Sequence, residues 1–97
     1  MTQVQRISYM EQSLDTANAA IEEMTTALDH YIAAQDQIRA LTAYYDGGAW
    51  LADYEADEAG SLPADLKRGI LSQDALYDLL SSNRELLLRM AEIVRGR

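Results

Sequence analysis

An all-α fold arranged as a long helical hairpin follows from three features of the sequence. Apolar residues recur at alternating steps of three and four from Ile7 to Tyr45, with no glycine or proline before Gly47. The hydrophobic supply is mostly Ala, Leu, Ile, Met and Tyr, with no phenylalanine and few β-branched residues, which suits helices over strands. The only tryptophan and the only proline fall between Trp50 and Asp74, where the pattern becomes irregular and the chain must turn.

The first arm begins with Thr2 and Gln5, a T-x-x-Q capping box that satisfies the leading amides. Its seam runs Ile7, Met10, Leu14, Ala17, Ile21, Met24, Leu28, Tyr31, then Gln35, Ile38, Thr42 and Tyr45. This spacing predicts one continuous helix over about residues 3–45, roughly 65 Å long at 1.5 Å per residue. Ala20, Ala27, Ala34, Ile32, Leu41 and Tyr44 widen the stripe beyond a two-stranded seam, and a stripe that wide meets more than one neighbour. The polar Gln35 and Thr42 are read as register-setting or rim positions.

Asp46-Gly47-Gly48 ends this arm, with a glycine available for a left-handed cap. Residues 49–59 read as a short helix closed by Gly60, with Trp50, Leu51 and Tyr54 inward and Asp53, Asp57 and Glu58 toward water. Leu62-Pro63 imposes an extended step. Ala64 to Arg68 makes one helical turn stopped by Gly69, and Ile70 and Leu71 serve as apolar plugs. Ser72 is an N-cap, followed by Gln73 and Asp74 in the first turn of a helix over about 73–94.

Residues 49–95 together match the first arm in length, which favours a hairpin with a straight arm and an interrupted one; a compact three-helix bundle is the alternative. The whole chain, 1–97, is read as a single domain. A two-helix hairpin buries one side of each helix, so self-association as a dimer, forming a four-helix layer, is expected.

The formal charge of −8 is concentrated in the middle, where residues 46–65 carry six acids and no base. Direct nucleic-acid binding is disfavoured, because the only basic clusters are Lys67-Arg68 and the set Arg84, Arg89, Arg95 and Arg97. An unidentified basic protein fits the field better. No stretch has the length or apolarity of a membrane span or a signal peptide, and with no cysteine a cytoplasmic location is expected.

Asp53, Glu55, Asp57 and Glu58 are the sharpest chemical feature, since alternating carboxylates can hold a hard cation. Against a calcium loop, Glu58 stands where the turn glycine belongs and Ala64 where the bidentate glutamate belongs. In a helix Asp53 and Asp57 share a face and are the metal candidates; pairing with Lys67 and Arg68, or plain solvation, accounts for them more simply. His30 is the only histidine and sits on an exposed flank, so no catalytic residue, enzymatic activity or cofactor is expected. Trp50, Tyr54 and Tyr77 either form an exposed recognition patch or, as large aromatics more often do, lie in the core, with Trp50 filling the junction of the broken arm against Tyr44 or Tyr45. The candidate partner-binding set is Trp50, Asp53, Tyr54, Glu55, Asp57, Glu58, Lys67 and Arg68.

Several of these motifs occur together in a known pattern: Arg6-Ile7 and Met10-Glu11 at the start, Tyr44-Tyr45 before the turn, then Trp50, the acidic run Asp53 to Glu58, and Leu62 to Asp74 reading LPADLKRGILSQD. The sequence resembles a family of short bacterial all-helical proteins known as a domain of unknown function. The resemblance covers nearly the whole chain, implies a helical bacterial protein, and supplies no catalytic or binding residue. Secreted W-x-G hairpins differ, because Gly48 precedes Trp50 here and the Tyr54-to-Glu58 match lies mid-chain. The functional expectation is a non-enzymatic protein–protein interaction or adaptor module; a carboxylate metal-binding protein and an acidic mimic of nucleic acid inhibiting a basic protein are the alternatives.

Overall fold

The computed structural model describes residues 1–72 and 74–96, and every regular element in that range is helical. In chain order these are α1 (Gln3–Ala33), α2 (Gln35–Asp46), α3 (Ala49–Glu58), a single 3-10 turn over Gly69–Leu71, and α4 (Ala75–Arg95). The all-α expectation therefore holds. The chain divides into two compact units, Met1–Gln35 and Asp36–Arg97.

The first unit is α1. Its start is the anticipated capping box: the Gln5 amide donates to Thr2 Oγ1 at 3.1 Å, and the Thr2 amide donates to Gln5 Oε1 at 2.9 Å. None of its residues is buried, so Ile7, Met10, Leu14, Ile21 and Met24 all lie exposed along one seam.

The single helix expected over 3–45 is instead divided at Ala34. Its amide is shared between the carbonyls of His30 at 3.1 Å and Tyr31 at 3.2 Å, the tightening that marks a helix end. One residue on, Gln35 Nε2 also donates to the Tyr31 carbonyl, at 3.1 Å. Thr42, the second polar seam residue, likewise donates its hydroxyl four residues back, to the Ile38 carbonyl at 2.9 Å, without breaking α2.

The second unit holds α2, α3, the 3-10 turn and α4. Two glycines shape the α2–α3 corner. Gly48 takes φ +89°, open to glycine at little cost, and at Gly47 a Cβ would fall 2.8 Å from the Ala43 carbonyl oxygen. Gly60, at φ +73°, ends α3 in a Schellman motif: Ser61 N–H bonds the Ala56 carbonyl and Gly60 N–H the Asp57 carbonyl, each at 3.0 Å.

The 3-10 turn packs against both α3 and α4 and carries Leu71 into the core, where it is 6 % exposed beside Leu76 at 1 %. Where a helical turn was expected over Ala64–Arg68 the chain makes a single hydrogen-bonded turn, Leu66 N–H to the Pro63 carbonyl at 3.2 Å, and Gly69, expected as its stop, instead opens the separate 3-10 turn. Ile70, expected as a second plug, remains 37 % exposed and contributes its carbonyl. The N-cap of α4 is Asp74, without a side-chain cap bond, in place of the expected Ser72, whose Oγ nevertheless accepts the Ala75 amide at 3.3 Å. Gln73, the expected helix start, and Arg97, one of the basic residues, lie outside the described residues.

Candidate functional surface

The sequence-predicted site centres on α3, and the helix sorts its residues by face. Trp50, Asp53, Tyr54 and Asp57 fall on one side at helical spacing; Leu51, Glu55 and Glu58 fall on the other. Every residue of the first group meets another part of the second unit or a neighbour on α3.

Trp50 stands between two tyrosines. Tyr54 stacks on it with ring centroids 5.2 Å apart and planes 20° from parallel; Tyr45 lies against it at 5.5 Å and 56°. Its indole N–H donates to the Ile70 carbonyl at 2.9 Å, tying α3 to the 3-10 turn twenty residues away. The junction role against Tyr45 is therefore the observed one, and the ring is half-buried.

Asp53 accepts from the Tyr44 hydroxyl at 2.6 Å, a charge-assisted bond that spans the α2–α3 corner. The bond to the carboxylate pushes the Tyr44 phenol up to about 12, with burial and the negative charge of Asp53 adding to it, because losing the proton would set two anions side by side. Asp57 pairs with Arg68, whose guanidinium also donates to the carbonyls of Pro63 and, at 3.3 Å, Leu66. One arginine thus closes the connection after α3 by binding its backbone and a carboxylate at once.

Two expectations are corrected by this arrangement. Asp53 stays exposed as expected while accepting from Tyr44, whereas Asp57 is partly buried in its pair with Arg68; each is engaged by a different donor, so they are not poised as a shared cation site. Leu51, expected inward, is 53 % exposed, because Trp50 and Tyr54 fill the inner face. Glu55 and Glu58 are exposed, as is Lys67, whose neighbour Arg68 alone takes the counter-charge role. Among the described residues no group of three or more His, Asp or Glu side chains is placed to hold a metal. His30 is exposed on α1.

Sequence reading did not anticipate an open groove of about 430 Å³ between α2 and α4, lined by Thr42, Tyr45 and Asp46 on one side and Tyr77, Leu80 and Arg84 among those on the other. Its signal was present in the pattern: Thr42 and Tyr45 are the last seam positions of the first arm, and Leu80 lies on the apolar stripe of α4. A short threonine in that seam leaves room that a leucine would fill.

This is a helical scaffold whose polar and aromatic groups are spent on holding a corner and a connection, with apolar helix faces left outward. The chain belongs to the DUF4298 family, a domain of unknown function, whose sequence profile matches residues 7–93. No curated protein and no solved structure matches it. Among the described residues no helix is long and apolar enough to cross a membrane.

Proposed function

We propose that the protein is a non-enzymatic, cytoplasmic protein–protein interaction module that works through helix pairing. The observation that supports this reading is α1: thirty-one residues of helix with a regular apolar seam and no buried side chain. A helix this long with a sustained stripe is stable in water chiefly when another surface covers the stripe. Contiguous exposed apolar surface of this extent marks an interaction site. The outward face of α3 offers a second, smaller contact. Leu51 lies there with Glu55 and Glu58, a combination suited to a basic partner.

A photo-crosslinking residue placed at Ile21, in the native host, tests the reading. Covalent adducts to protein are expected there and are expected to be scarce with the same group at Glu23, on the polar flank. Equal labelling at both positions, or none at either, would remove the seam as an interaction surface.

A further inference from the structure

We propose that the partner of α1 is the α1 of a second copy of this chain, aligned antiparallel; this rests on the interaction reading and names its partner. The seam matches its own reverse. Centring two antiparallel copies on Ala19 sets Met10 opposite Leu28, Leu14 opposite Met24, and Ala17 opposite Ile21. These are the mixed layers that antiparallel coiled coils form, each knob entering a hole in the facing helix. A parallel pairing would set Ala17 on Ala17 and leave a void in the middle of the seam.

Charge placement points to the same occupant. A chain of net charge −8 meets itself only where its carboxylates do not face one another. Beside the seam of α1 stand Ser13, Ala20 and Ala27 on one edge and Asn18 and Thr25 on the other, all uncharged. Asp15, Glu22, Glu23 and Asp29 lie further out, where the partner's copies of them are distant. The small side chains at the edges also let two backbones approach closely. A basic partner would need carboxylates at those edges, and only Glu11 stands there.

The seam is exposed along its length, with Ile7, Met10, Leu14, Ile21, Met24 and Leu28 all open to a partner. Leu14, Ile21 and Met24, the central apolar residues, are each half exposed or more.

Sedimentation of the purified full chain over a wide concentration range tests the pairing. A dimer is expected, with association weakened at least about a hundredfold by Ile21→Glu, which places a charge in the seam, and unchanged by Glu23→Gln. Circular dichroism checks that both variants remain helical. A chain that stays monomeric throughout, or a dimer indifferent to Ile21→Glu, overturns the proposal; adducts at position 21 to a different protein would then leave the interaction reading standing alone. Because the chain has no cysteine, orientation can be read separately. A Met10→Cys chain mixed with a Leu28→Cys chain is expected to form the mixed disulfide in preference to either homodisulfide, and preferential Met10→Cys homodisulfide overturns the antiparallel alignment.

Discussion

The first unit and the second use the same kind of sequence to opposite ends. In α1 the side-chain bonds are local: besides the cap, the Ser13 and Thr25 hydroxyls donate four residues back to the Tyr9 and Ile21 carbonyls at 2.9 and 2.8 Å, and Gln35 reaches back to Tyr31. Between α2 and α4, by contrast, Tyr44, Trp50, Asp53, Asp57 and Arg68 each connect segments separated in the chain. A regular stripe repeats one simple contact many times, whereas an irregular connection needs a particular residue at each point. The difference explains why the second unit has a small core and the first has none.

The sharpest way to break this contrast is to remove a core side chain. Leu76→Ala is expected to destabilise the second unit by about 2–5 kcal/mol, read as a fall in the denaturant midpoint followed by circular dichroism. Leu14→Ala in α1 should cost far less in dilute solution, where the seam is uncovered. Comparable losses from both would show that α1 has a core of its own.

A milder change probes the connection. Trp50→Phe keeps an aromatic ring between Tyr45 and Tyr54 but loses the donor to the Ile70 carbonyl, and should cost about 1 kcal/mol in the same measurement. If the variant unfolds at the midpoint of the unaltered chain, the bond between α3 and the 3-10 turn contributes nothing.

The smallest effect is confined to alkaline solution. Tyr44 holds its proton more tightly when folded, to about 12 against 10.0 unfolded, so its contribution is fully present below pH 10.0 and is lost as the pH rises through about 12. Ultraviolet titration of tyrosinate should show one of the six tyrosines ionising late, and Tyr44→Phe or Asp53→Asn should abolish that late step. Were the late step to persist in both variants, the Tyr44–Asp53 bond would not be its source.

What was legible in the sequence follows the same division. Periodicity revealed the helices, and composition placed the turns: Thr2 with Gln5, Gly48 and Gly60 act as their residue types suggest. The break at Ala34 is not legible because no proline or glycine marks it, and the residues around it, alanines and Gln35, are good helix formers. The acidic run was misread in part for a related reason. What Asp53 and Asp57 bind is decided by Tyr44 and Arg68, nine residues before one and eleven after the other, and no local pattern carries that pairing. The inward Trp50 was legible, because a large aromatic beside a turn has few better places to go.

Arg68 has a consequence for how this family can vary. Two of the acceptors it binds after α3 are the carbonyls of Pro63 and Leu66, groups that every amino acid supplies. The path of that loop is thus specified from outside it, by one guanidinium and the carboxylate of Asp57. The side chains of Ala64 and Asp65 are exposed, and the side-chain bonds that shape the loop come from positions 57 and 68.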